Sequence, residues 1–385
     1  EMRSNALLVF SFVAVVLGVF FYKIQQHETR LNDVSSVIQV YKGSQDEWPA
    51  PHLSEGVSHR PLVSLPDASY PEDNPYSEAK EQLGKRLFFD PRLSASGALA
   101  CASCHDPDLG WTDGRQRSVG HSGQQGERNS MTILNVAFYD HLFWDGRAES
   151  LEAQALSAIR SPSEMNIGLD SLEERIASTD EYPRLFEQSF GDPQVTARRI
   201  AEAVATFERG ITSRSSDFDR FLQGNRDAMT ERQIRGLHVF RTKARCMNCH
   251  SGRLLSDDQF HNIGQSHLGR PSQDLGQFLV TGDTADVGLF RTPSLRDVTR
   301  TGPYLHHGLI NDLREVISMY NQGMPQAIPR KESENPLYPE KSHLLKPLGL
   351  TEKEKGALLN FLEALSTRPS RLSVPDLPDR QEPKQ

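Results

Sequence analysis

The chain has four cysteines: Cys101 and Cys104 in CASCH, which ends at His105, and Cys246 and Cys249 in CMNCH, which ends at His250. Two thiols three positions apart lie about one helical turn from each other, a spacing at which they add to the two vinyl groups of one haem. The histidine directly after the second thiol is then carried beneath the iron as its axial ligand. A C-x-x-C pair also serves as a redox dithiol or as half of a zinc site, but neither use calls for a histidine after each pair. The motifs therefore specify two covalently bound haem c groups, attached at the four cysteines and ligated by His105 and His250. Every thiol is consumed, so no disulfide is expected. Attachment of this kind takes place outside the cytoplasm, which makes an exported protein the expectation.

Haem alone does not define a reaction. With two strong axial ligands it transfers electrons; with an open face and an acid/base residue it can split an O–O bond. Candidates lie in the segments after the first motif: SVGHSGQQGERN (Ser118 to Asn129), FWDGRAESLEAQA (Phe143 to Ala155) and SPSEMN (Ser161 to Asn166). Taken singly, each has a plainer reading. A lone Glu in a loop is usually solvated, a Phe-Trp pair is usually core, and a histidine among glycines is usually exposed.

Taken together, these segments, the two C-x-x-C-H motifs and RTPSLRDVTRTGPYLHHG (Arg291 to Gly308) resemble the bacterial dihaem cytochrome c peroxidases and their MauG-type relatives. The likeness keeps the family's order from Pro75 to Leu365. C-x-x-C-H by itself indicates only a c-type cytochrome, whereas FWDGRA and RTPSLR…GPY are particular to this family. The resemblance implies that His105 is the proximal ligand of a low-potential, peroxide-reacting haem and that His121 is the distal histidine that blocks it at rest. It implies Glu164 as the distal acid/base, Gln154 as its polar companion, and Trp144 as the residue between the haems. His250 would be the proximal ligand of the second haem. Asn129, with the carbonyls of Thr301 and Pro303, would hold a calcium ion.

One position departs from the peroxidase pattern. The peroxidases place a methionine as sixth ligand of the second haem in the helix after Y-x-H-x-G; counted from Gly308, that position here is Tyr320. Leu313, Val316, Ile317 and Tyr320 form one apolar stripe, so the tyrosine faces inward on periodicity as well. Met319 falls about 100° off that stripe, and Met324 follows Asn321 and Gly323, which are expected to end the helix. A tyrosine there resembles the MauG-type oxidases. A thioether favours ferrous iron, whereas a phenolate favours ferric and higher states. The plainer reading is a core tyrosine.

The elements that must position these residues read as helices. Leu83, Leu87 and Phe88 share a face before the first haem motif; Ile200, Val204, Phe207 and Ile211 do so in TARRIAEAVATFERGI; Ile234, Leu237 and Phe240 precede the second motif. Glu149 to Arg160 is a further helical stretch, and Thr351 with Glu354 makes a capping box for a last helix carrying Leu358, Leu362 and Leu365. Strand signals are few, so the expected fold is mainly α, with two cytochrome-c-like domains each holding one haem. Residues 76–228 are expected to form the N-terminal peroxidatic domain and 229–368 the C-terminal electron-transfer domain. Residues 23–75, polar and proline-rich, read as a linker, and 369–385 as a disordered tail. Ala6 to Tyr22 is a stretch of 17 uncharged residues, flanked by Arg3 and Lys23. It reads as an uncleaved membrane anchor (residues 1–22) more readily than as a removed signal, because no small-residue cleavage site follows.

Composition narrows the function. Of 385 residues 37% are hydrophobic and 24% charged, and the net charge of -8 with no basic stripe excludes a nucleic-acid binder. Acidity suits a basic redox partner. Three functions fit: a periplasmic peroxidase fed by a small cytochrome c, a cupredoxin or quinol; a MauG-type oxidase that uses hydrogen peroxide to modify a Trp or Tyr of a partner protein; and a dihaem electron carrier. Glu164 and Gln154 speak against the carrier, which needs no distal acid. A homodimer is expected by family analogy.

Overall fold

The computed structural model describes residues 34–213, 215–326, 328–368 and 372–378. These are mainly helical, and their one sheet is a two-residue antiparallel pair, β1 (Phe260–His261) with β2 (Phe290–Arg291). The helices are α1 (Val34–Lys42), α2 (Glu78–Phe89), α3 (Leu151–Arg160), α4 (Leu169–Ala177), α5 (Tyr182–Phe190), α6 (Ala197–Arg209), α7 (Asp217–Leu222), α8 (Glu231–Arg241), α9 (Phe278–Thr281), α10 (Leu313–Asn321) and α11 (Glu352–Ala364). Side-chain caps start many of them: Ser77 accepts from Lys80 N at α2, Thr196 from Arg199 N at α6, and Thr230 and Thr351 complete capping boxes with Gln233 and Glu354.

Two cores result. In the first, Leu83, Leu87 and Phe88 of α2 pack with Ile200, Val204 and Phe207 of α6 and with Leu172, Ile176 and Phe186 of α4 and α5. In the second, Ile234, Leu237 and Phe240 of α8 pack with Leu358, Phe361 and Leu362 of α11 and with Val316 and Ile317 of α10. Each core closes on a glycine. A Cβ on Gly84 of α2 would lie 1.8 Å from the Ala203 carbonyl oxygen, and one on Gly236 of α8 would lie 2.0 Å from that of Ala357. Four residues past each alanine stands a phenylalanine, Phe207 or Phe361, whose Cβ also meets the glycine position. The helix leading into each haem motif thus crosses its partner at backbone contact, with the same small-residue chemistry twice.

Three boundaries differ from expectation. The segment read as a linker is not a tether: Val37, Ile38 and Tyr41 of α1, with Trp48 and Leu62, are buried in the second core. Trp48 Nε1 donates to the Tyr41 carbonyl at 3.0 Å, and the Arg241 guanidinium lies over both rings. The prolines that follow conceal a short apolar stripe in VSSVIQVYK. Phe218 and Phe221 of α7 belong to the second core, which therefore begins before residue 229. At the other end Leu372 packs on the first core and the Pro378 carbonyl accepts from Arg92 Nη2 at 3.0 Å, so residues 372–378 are not a free tail. Among the described residues no helix is long and apolar enough to cross a membrane. The proposed anchor, Ala6 to Tyr22, lies outside them.

Candidate active site and haem cavities

Cys101 to Ser103 form a single 3-10 turn that brings the two thiols of the first motif to one wall of a cavity of about 690 Å³. His105 closes this turn, its N–H donating to the Cys101 carbonyl at 3.0 Å. The second motif repeats the arrangement: Cys246 to Asn248 turn, His250 N–H donates to the Cys246 carbonyl at 2.8 Å, and a cavity of about 190 Å³ opens beside them. His105 Nδ1 lies 3.2 Å from the Trp111 carbonyl and His250 Nδ1 lies 2.9 Å from that of Leu255. A ring whose Nδ1–H is held by a carbonyl keeps its Nε2 lone pair for a metal. Burial lowers the basicity of both histidines and raises all three shifted thiols, Cys246 to about 12. Four unpaired thiols, two oriented imidazoles and apolar walls fit two haem c groups.

Gln154 and Glu164 face the first cavity from consecutive segments. Leu151, Gln154, Ala155 and Ala158 of α3 form one helical face toward it, and the chain then turns through Ser161 so that Glu164 lines the same space. Burial raises the Glu164 carboxyl above its usual range, partly opposed by Arg147. Trp144 lines both cavities. Its Nε1 donates to the Asn129 carbonyl at 2.9 Å and its own carbonyl accepts from Arg291 N at 2.8 Å. The next residue, Asp145, is buried and pairs with Arg128 and Arg147, while Arg128 also pairs with Asp274 at 2.7 Å. Trp144 is therefore clamped from both halves of the chain.

The His121 ring and the oxygen donors assigned to calcium are placed as follows. Ser118 and Gly120 line the first cavity, but the His121 side chain does not. Its backbone N–H donates to the Glu164 carbonyl at 2.8 Å, and its Nδ1 is buried without a partner. Asn129 is buried on the first cavity wall, and its amide donates to the Arg115 carbonyl at 2.9 Å; Thr301 precedes the cis Gly302-Pro303 bond, of which Pro303 is a part. In the second cavity Tyr320 joins Val316 and Ile317 on the wall, and burial raises its phenol well above its usual value. Met319 and Met324 are not on that wall. Met324 is fully buried past the helix end, at a φ of 53°.

The structure adds residues that motif reading passed over. Glu208 of α6 is buried against the first cavity, inside a helix whose pattern signals only amphipathicity. His261 on the second wall pairs with Asp257 at 2.7 Å, which raises its basicity against the effect of burial. His306 stacks on Phe290 at 3.6 Å beside Trp144.

Two helical cores and two cavities, each walled by a C-x-x-C-H turn and bridged by one tryptophan, define a dihaem c-type cytochrome. The chain belongs to the di-haem cytochrome c peroxidase and MauG family: residues 78–227 match the model of the di-haem cytochrome c peroxidases. It is 38% identical over 356 residues, 85% of this chain and 91% of the other, to the cytochrome-c peroxidase IdrP1 of Pseudomonas sp. (strain SCT). It is 40% identical over 313 residues to the methylamine utilization protein MauG of Methylorubrum extorquens, covering 80% of this chain and 84% of that one. In fold it is similar to a MauG-like protein associated with microbial copper homeostasis, with a TM-score of 0.70 and 32% identity over 82% of this chain and 96% of that one.

Proposed function

We propose that the protein reduces hydrogen peroxide to water in the first cavity, with electrons received at the second cavity and passed across Trp144. Support comes above all from the meeting of Glu164 and Gln154 at the cavity of the first motif while Trp144 lines both cavities. Haem bound at each motif supplies iron that takes up and gives out electrons one at a time. Glu164 holds its proton more firmly than a solvated carboxyl does. It thus acts as the acid that moves a proton between the two peroxide oxygens as their bond breaks. Gln154 orients the substrate by hydrogen bonding, and the apolar faces of Leu151 and Ala155 limit water. Electrons come from a small cytochrome c, a cupredoxin or quinol in the periplasm. The all-oxygen donors Asn129, Thr301 and Pro303 are of the kind calcium prefers.

Glu164→Gln keeps size and removes the ionisable proton. It is expected to retain both haems and to lose peroxide turnover by about 10²-fold. Full turnover in that variant would move the chemistry elsewhere. Tyr320 on the second wall, and the likeness to MauG, favour a second reading in which the same peroxide chemistry oxidises a Trp or Tyr of a partner protein.

A further inference from the structure

Peroxide reduction consumes two protons: one O–O bond breaks, two O–H bonds form, and H2O2 with two electrons and two protons gives two waters. Glu164 passes a proton between the two peroxide oxygens and adds none in net, so both consumed protons must reach the cavity across its wall. A second carboxyl stands in that wall. Glu208 is 4% exposed, lines the first cavity, and has a buried Oε2 without a hydrogen-bond partner. The two acids differ in position, since Glu208 acts on Cys101 and Glu164 on Cys104.

A separate surface groove of about 530 Å³ reaches the same wall; Arg209, the next residue of α6, lines it, whereas Glu208 lines only the cavity. Val136, Leu142 and Leu151 line both spaces, so the groove and the cavity share one partition. The groove holds Glu152 and Arg209, the neighbour of Glu208 on α6, paired at 2.7 and 3.0 Å. Asn74 donates to the same Glu152 at 2.7 Å, and Lys80 Nζ donates to Asn74 at 2.8 Å. Glu208 thus faces the chamber while its chain neighbour Arg209 faces the groove, so a proton passing between the two spaces meets this carboxyl on the chamber side.

We propose that Glu208 is the proton-supplying residue of the first cavity, drawing protons from the groove that holds Glu152 and Arg209 and returning to its protonated form in each turnover. This rests on the peroxidase reading. Burial raises its carboxyl to about 8, opposed by Arg209 and reinforced by Glu152. The other charged groups nearby are Glu81 against the next turn, Lys80 and Glu202 at the groove, and Glu164 and Arg147 in the cavity. A proton donor with a raised pKa is loaded below that value and empty above it, so its contribution falls as pH rises through about 8.

The test uses Glu208→Gln in the full chain carrying both haems, since glutamine matches the neutral acid in size and charge. Infrared difference spectra of wild type against variant should show a protonated-carboxyl band that exchanges promptly in heavy water and disappears as pH rises through about 8. Peroxide turnover at neutral pH should fall on the order of 10²-fold in the variant, and its pH profile should lack the alkaline decline of wild type. Wild-type-like turnover with the same alkaline decline, or a carboxyl band that does not exchange, would make Glu208 a dry structural acid. If the variant fails to retain haem, the exchange of the wild-type band decides. A wild-type protein that turns over no peroxide would instead overturn the peroxidase reading, and the infrared exchange would still decide whether Glu208 trades protons with the groove.

Discussion

A buried phenol next to two cysteines is costly to ionise, and burial raises Tyr320 accordingly. A cation at its oxygen would reverse that preference, and the iron of a haem held at the second motif would be that cation if Tyr320 ligates it. Replacing Tyr320 by Met then exchanges an anionic oxygen for a neutral sulfur. The reduction potential of the second haem is expected to rise substantially, which a spectroelectrochemical titration reads directly; a potential that stays put would make Tyr320 an ordinary wall residue. At this scale legibility follows the chemistry. The cysteines, His105 and His250 are legible because their spacing is itself the reaction geometry. Tyr320 is legible because helix periodicity and family register point to one position. Glu208 is not, since in ATFERGI it reads as one more polar residue of an amphipathic helix, and only the fold shows it to be buried. His121 shows what a motif leaves open. A motif names the residue, but the loop conformation decides where its ring points.

The two helix crossings make a prediction about elements. Gly236→Ala places a Cβ 2.0 Å from the Ala357 carbonyl oxygen, so α8 and α11 must separate. Overpacking of this kind costs about 1–3 kcal/mol, read as a lower thermal midpoint and poorer retention of the second haem. Gly356, in the same helix α11, has nothing within 4 Å of its Cβ position. Gly356→Ala should therefore stabilise by up to about 1 kcal/mol through helix propensity. Equal effects at the two sites would mean that the close crossing contributes nothing. The long helices were legible because caps and 3.6-residue periodicity agree in α2, α6, α8 and α11. Helix α1 was not, because three buried residues in a nine-residue segment carry too little periodic signal against the prolines that follow. Its order comes from tertiary burial of Tyr41 and Trp48, which no local pattern encodes.

Over the whole molecule, the two halves are tied where electrons must pass. Arg128, from the loop after the first motif, reaches Asp274 in the second half and Asp145 beside Trp144. The Trp144 carbonyl holds Arg291, whose guanidinium lies 3.9 Å from the Tyr139 ring centroid. Among the described residues the two cores share chain: Val37, Ile38, Tyr41, Trp48 and Leu62 complete the second, and Leu372 returns to the first. The central claim is that the two haems act as one unit through Trp144. It is tested most directly by adding one electron to the protein, mixing it rapidly with hydrogen peroxide and following the second haem's absorbance, in wild type and in Trp144→Phe. The second haem should be oxidised in step with peroxide consumption in wild type. That step should slow at least tenfold in the variant, with the potentials of both haems unchanged. Peroxide consumed while the second haem stays reduced, or identical rates in the two proteins, would contradict the account.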